Sequence, residues 1–143
     1  MRVPLRHGRV LGRILLATDL TEERDVRLFR RELRHALGDA DTRSERLDDF
    51  VLAVNEAVAN VFRHAYPPGV PGSCHVAVAR TDDSIIAIVE DDGDQFDPRR
   101  GYEELAADES GRGFMIIRSL VDDFVCDVTD GGGGHIELRL GIP

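Results

Sequence analysis

Between Leu47 and Phe62, apolar residues recur at three- and four-residue steps: Leu47, Phe50, Val51, Val54, Val58, Val61 and Phe62. That stripe predicts a core helix. The opposite face lacks the solvated charges such a helix normally shows. At ~100° per residue, Asp49, Ala53, Glu56 and Asn60 fall together there, flanked by Leu52 and Ala59. A carboxylate and an amide one turn apart, among small residues, predict a helix that packs on one side and lines a nucleotide-sized cavity on the other. Thr42-x-x-Glu45 resembles a capping box at its start. Pro67 and Pro68 set its end at Tyr66, since proline cannot continue the hydrogen-bond ladder.

On either side the periodicity alternates between strand and helix. Arg9 to Thr18 predicts a first strand, best defined at Ile14 to Thr18, with residues 1–8 expected to be a flexible N-terminus. Thr21, with Glu22 and Glu23 behind it, predicts a helix start. Val26, Phe29, Leu33 and Leu37 form that helix's stripe, and Gly38 its stop. Cys74, Val76 and Val78 alternate with His75, Ala77 and Ala79, a half-buried strand. Ile85 to Val89 is a continuous apolar run, an interior strand that ends in Glu90-Asp91-Asp92-Gly93. Pro98 to Ser110 shows no stripe and predicts a loop, with room for one helical turn. Gly111-Arg112-Gly113 leads into a helix carrying Phe114, Ile116, Ile117, Leu120 and Val121. Phe124 to Thr129 predicts a strand, and Asp130 to Gly134 a glycine-rich turn. A last strand follows to Leu140, with Ile136, Leu138 and Leu140 inward. The expected fold class is α+β: a two-layer α/β sandwich, with a mixed, mostly antiparallel sheet and helices on one face. A single domain over 9–143 accounts for it.

Composition narrows the chemistry. The net charge of −9 makes direct nucleic-acid binding unfavourable. No apolar run approaches the ~20 residues of a membrane span. All 18 basic residues are arginine, which excludes a P-loop lysine, a kinase strand lysine and Schiff-base chemistry. Cys74 and Cys126 lack metal spacing and read as two buried thiols of a cytoplasmic protein, with a disulfide as the alternative. His7, His35, His64 and His75 share no metal spacing either. The arginines of the first helix read as its solvated face, with a partner surface as the alternative.

Three elements carry chemistry. Glu56-x-x-x-Asn60 presents a carboxylate and an amide oxygen on one helix face, able to orient a hydrated Mg²⁺ and a nucleophile, or simply to be solvated. Asp91, at the mouth of a buried strand and followed by Gly93, can accept a hydrogen bond from an adenine amino group. The alternative is a plain acidic turn, since a calcium loop lacks its closing acid. Gly111-x-Gly113 lets a backbone approach phosphate at a helix N-terminus, with Arg112 either touching phosphate or solvated.

Their order resembles the N, G1 and G2 boxes of the GHKL (Bergerat) ATP-binding fold. The boxes are NEAVANVFRHAY, VEDDGDQFDP and GRGFMIIRSLVDDF. The closest likeness is to the small bacterial anti-sigma factor serine/threonine kinases, and it spans residues from about 10 to 140. The resemblance implies Glu56 as general base, Asn60 as the Mg²⁺ ligand, Asp91 and Gly93 as the adenine site, and Gly111 and Gly113 as phosphate contacts. It implies ATP as phosphoryl donor, a STAS-type anti-anti-sigma protein as acceptor, and a sigma factor as the sequestered partner. A homodimer is expected by likeness alone. Two positions depart from the family pattern. Gln95 replaces the second glycine of the usual DxGxG, and Gly133-Gly134-His135 replaces a glycine-glycine-threonine. His135 is the candidate to supply the missing hydrogen-bonding group beside Asp91. These departures favour the alternative of a non-catalytic or weakly ATP-binding module for a sigma factor or STAS partner. The intact Glu56 and Asn60 favour the kinase.

Overall fold

A computed structural model describes residues 2–5, 8–38, 44–67, 69–93, 111–129 and 131–142. Thr42 of the expected cap, Gln95 and the Pro98–Ser110 loop lie outside the described residues.

β1 (Arg2–Leu5) and β2 (Gly8–Leu11) form an antiparallel two-stranded ribbon, within and just beyond the stretch expected to be flexible. β3 (Arg13–Leu20) begins the main sheet. The expected strand over Arg9–Thr18 is therefore two strands, divided at Gly12. Helix α1 (Val26–Leu37) follows a 3-10 turn over Glu23–Asp25. The chain thus enters α1 later than Thr21 predicts, and no side-chain cap bond is made at either start. Phe29, Leu33 and Leu37 are buried, and Gly38 closes the helix at φ 56°.

Helix α2 (Ser44–Asn60) runs directly into a π-helical turn, Val61–Ala65, and Tyr66 leaves it in an extended conformation. Then come β4 (Cys74–Arg80), β5 (Ser84–Asp91), α3 (Gly111–Leu120), β6 (Asp123–Val128) and β7 (Gly134–Gly141). The five-stranded sheet has the order β3-β4-β5-β7-β6. Every described pairing in it is antiparallel, so the sheet is not mixed among these residues. The central strand is β5, as its uninterrupted apolar run requires.

Ile85, Ala87 and Val89 of β5 face the helices, together with Ile136, Leu138 and Leu140 of β7. Leu47, Phe50, Val51, Val54 and Val58 of α2 fill the space against them, each no more than 3% exposed. Burying a side chain such as Phe50 contributes about 1.5–3 kcal/mol. Ile86 and Ile88 point the other way, into a small cluster with Ala79 and Ile14. On α3 the buried anchor is Ile117, packed towards α2, whereas Ile116, expected in the apolar stripe, is exposed. Arg46 on α2 pairs with Asp122 at 2.8 Å, and Arg34 on α1 with Asp48 on α2 at 2.9 Å. So at least Arg34 of the arginine-rich helix is bonded to its neighbour.

Candidate functional site

Glu56 and Asn60 stand one turn apart on α2. Ala53, expected to give clearance on the same face, is fully buried in the hydrophobic core. Asn60 is 1% exposed, although it is an amide at the end of a helix. Its Oδ1 accepts from Arg63 Nη1 at 3.5 Å, while its Nδ2 is buried without a partner among the described residues. A buried unpaired N–H costs about 1–3 kcal/mol, and it is a donor that an acceptor would satisfy. Glu56 is partly exposed, with Oε2 3.8 Å from the same guanidinium.

Asp91 closes β5 and is 7% exposed. One oxygen, Oδ1, accepts from the Gly93 amide at 3.0 Å and from the Gly134 amide at 3.2 Å. The other has no hydrogen-bond partner among the described residues. Burial pushes the Asp91 carboxyl up, assisted by the charges of Asp92 and Glu90, and the two amide bonds pull it back. Glycine is required around it. A Cβ on Gly133 would lie 1.8 Å from the Asp91 carbonyl oxygen, and one on Gly93 would lie 2.1 Å from that of Ala65.

The Ala65 contact joins the two halves of the site, because Ala65 is the last residue of the π turn that begins one residue after Asn60. Tyr66 adds a second link. Its hydroxyl lies 2.5 Å from Asp92 Oδ1 and 2.6 Å from the Ser73 carbonyl, two acceptors for one proton. Burial and the Asp92 bond raise its pKa. Cys74 pairs with Asp91 across β4 and β5, and burial, with the Asp91 and Asp19 charges, pushes its thiol up. It is a protonated core residue rather than a nucleophile, and both cysteines are free thiols.

Gly111, Arg112 and Gly113 form the first turn of α3, whose free N-terminal amides suit an anion. The Arg112 side chain lies outside the described residues. His135 is placed away from this assembly. β7 puts Gly134 and Ile136 on the helical side and His135 on the other, where its Nδ1 is 2.9 Å from Glu90 and its Nε2 2.8 Å from Glu137. It belongs to a row that crosses all five strands, Asp19, His75, Glu90, His135 and Asp127, each paired with the next. His135 therefore does not stand in for the hydroxyl beside Asp91. The position facing that side is Gly134, which offers an amide and no side chain.

Residues 20–140 match the family described as the histidine kinase-like ATPase domain. The chain belongs to that family. Within it, similar curated proteins are named serine-protein kinase RsbW. The one from Oceanobacillus iheyensis is 30% identical, over 55% of this chain and 56% of that protein. The one from Bacillus licheniformis is 28% identical, over 59% of each. The chain spans a little over half the length of the curated relatives it matches. Among solved structures, the RsbU and RsbW domains of Rv1364c from Mycobacterium tuberculosis share the fold, with TM-score 0.59 and 22% identity over 90% of this chain and 33% of that one.

For a histidine kinase-like ATPase domain the donor set is chemically apt. Mg²⁺ prefers a few hard oxygen ligands and retains the rest of its shell from water and phosphates. Asn60 Oδ1 and Glu56 offer such oxygens, and among the described residues there is no group of three or more His, Cys, Asp or Glu able to hold a metal alone. Two features were missed from sequence. Arg63 bridges Glu56 and Asn60, which its spacing of three from Asn60 on a helix could have shown. The amides of Gly93 and Gly134 hold Asp91, and a four-glycine run ahead of a buried strand was the signal for Gly134.

Proposed function

We propose that the protein is an ATP-dependent serine/threonine kinase of the anti-sigma type, phosphorylating a STAS-type anti-anti-sigma protein and sequestering a sigma factor. The observation that supports it best is Asn60, an amide buried beside Glu56 whose Oδ1 is already turned to a cation, the Arg63 guanidinium.

Asp91 accepts the adenine amino hydrogen with the oxygen its glycines leave free, and Gly93 keeps the backbone low enough for the ring. The amides at Gly111 and Gly113 receive phosphate oxygens, with Arg112 beside them. Asn60 would hold Mg²⁺, which supplies charge neutralisation on the phosphates. Glu56 accepts the proton of the acceptor serine or threonine hydroxyl as its oxygen bonds to the terminal phosphorus and the bond from that phosphorus to the β-phosphate oxygen breaks, releasing ADP. Phosphoryl transfer asks chiefly for such positioning and charge balance. Among the described residues no helix is long and apolar enough to cross a membrane. The cytoplasmic setting and a homodimer belong to the same reading.

The binding-module reading draws on one observation. Gly134 presents no side chain beside Asp91, and His135 lies across the sheet, so the adenine end lacks the hydroxyl found in the family pattern. Calorimetric titration with Mg-ATP separates the two. The kinase reading expects saturable binding, and Glu56→Gln abolishing transfer to the acceptor protein while leaving nucleotide affinity within about threefold. Absence of heat at millimolar ATP leaves only the binding module. Loss of affinity and transfer together in Glu56→Gln makes Glu56 structural.

A further inference from the structure

The ladder between β4 and β5 ends at the pair Cys74 and Asp91, so by register Ser73 and Asp92 would be the next to meet. The Tyr66 hydroxyl stands between them instead. It accepts from the Asp92 N–H at 3.3 Å and lies 2.6 Å from the Ser73 carbonyl oxygen. A phenol thus takes the place of a direct amide-to-carbonyl bond and holds the two strand ends apart, at the point where the Asp91 site opens. The same hydroxyl is 2.5 Å from Asp92 Oδ1. Among the described residues Asp92 is held by Tyr66 alone, through its backbone amide and its carboxylate. The ring is fixed as well as its hydroxyl. Gly72 lies against it, where a Cβ would come within 2.2 Å of the ring carbon Cδ2.

This grip reaches Asp91 in two steps. Asp92 is followed by Gly93, whose amide donates to Asp91 Oδ1 at 3.0 Å. The direction in which Asp92 leaves the strand therefore decides where that amide stands. The amide in turn decides which carboxylate oxygen is engaged and which stays open. Gly134 binds the same oxygen from β7 at 3.2 Å, so the two amides agree only while Asp92 keeps its path.

We propose that Tyr66 is a base-specificity residue: through Asp92 and Gly93 its hydroxyl holds Asp91 so that the open oxygen meets a purine carrying an amino group at C6. It is a positioning residue, acting through Asp91 rather than on the nucleotide. A purine with a carbonyl at C6 would face that oxygen acceptor to acceptor. This rests on the nucleotide reading above.

The test is calorimetric affinity for Mg-ATP and Mg-ITP, which share ribose and triphosphate and differ in the group at C6. The wild type should prefer ATP about tenfold or more, since a site built to bind a donor rejects the analogue that lacks it. Tyr66→Phe keeps a ring against Gly72 and removes the hydroxyl. It is expected to weaken ATP about tenfold and ITP less than about twofold, so that the preference collapses. Asp92→Asn should retain the preference, because an amide can give a proton to the hydroxyl or take one from it. ATP and ITP weakening together in Tyr66→Phe, neither changing, or a collapse in Asp92→Asn as well, overturns the assignment and leaves nucleotide binding standing. A wild type that binds both nucleotides alike also overturns it, and one that binds neither overturns the nucleotide reading too. Thermal melting of the variants identifies a folding defect. If Tyr66→Phe does not fold, Gly72→Ala decides, because its methyl group drives the ring and the hydroxyl out of place. A collapsed ATP-to-ITP ratio there supports the proposal and an unchanged ratio overturns it.

Discussion

Replacing Asp91 separates what its hydrogen bonds do from what its charge does. Asp91→Ala orphans two backbone amides, Gly93 and Gly134, at a position 7% exposed to solvent. Each buried unpaired donor costs about 1–3 kcal/mol. Part of this is returned, because burial of the carboxylate outweighs the two bonds and raises its pKa. The net expectation is a loss of about 2–4 kcal/mol. For a chain of 143 residues that is a fall in Tm of roughly 6–14 °C. Asp91→Asn keeps an oxygen for both amides and removes the buried charge, so it should stay within about 1 kcal/mol of wild type. It replaces the free oxygen with a donor, which faces the adenine amino group donor to donor, and ATP affinity should fall about tenfold or more. The pH dependence gives an independent check. A carboxyl whose native pKa is raised binds more protons folded than unfolded, so stability falls as pH rises from the ordinary aspartate value of 3.8 to the native one, then levels. Relative to wild type, Asp91→Asn should therefore gain stability across that window. Urea denaturation of the three proteins at several pH values reads all of this. Equal destabilisation by Asn and Ala would refute the hydrogen-bond account, and a neutral Ala would show that water satisfies the amides.

Two further substitutions follow from the same geometry. Gly93→Ala forces a Cβ to within 2.1 Å of the Ala65 carbonyl oxygen, which is backbone and cannot rotate away. A loss of about 1–3 kcal/mol with impaired nucleotide binding is expected by thermal melting and calorimetry, and unchanged values would mean that the strand end yields. Asp122 accepts from the Gly141 amide at 2.6 Å and from Arg46, which hold its carboxyl below the ordinary value. Its contribution is present above the ordinary carboxylate pKa and is lost as pH falls through the lowered one. Being 42% exposed, it is worth only about 0.5–1 kcal/mol, so the acid limb of the wild-type stability curve should flatten slightly in Asp122→Asn.

The two-faced helix was legible because both faces repeat at helical spacing within one segment, and the interior strand because its apolar run is continuous. Glu56, Asn60 and Asp91 came with them. Features set by distant contacts were not legible. Gly133 lies against Asp91, far away in sequence, and no local pattern announces that approach. The π turn is equally silent, since its residues read as ordinary helix. The placement of His135 is different. The alternation that turns Ile136, Leu138 and Leu140 inward already turns His135 outward, so the strand period spoke against a role beside Asp91. α1 starts at Val26 because a 3-10 turn, whose cap residue Glu22 makes no side-chain bond, comes before it.

The π turn at Val61–Ala65 carries one more residue per turn than the helix before it. The wider turn takes up that extra residue, so the segments on either side stay in phase. Wound as regular helix, the same five residues would carry everything after them round by most of the ~100° of one residue. The Ala65 carbonyl would swing off Gly93 and the Tyr66 hydroxyl off Asp92. The alignment of Asn60 with Gly93 is therefore set by the width of the turn, and a substitution that restored the regular ladder at constant length would uncouple the Glu56 and Asn60 end of the site from the Asp91 end.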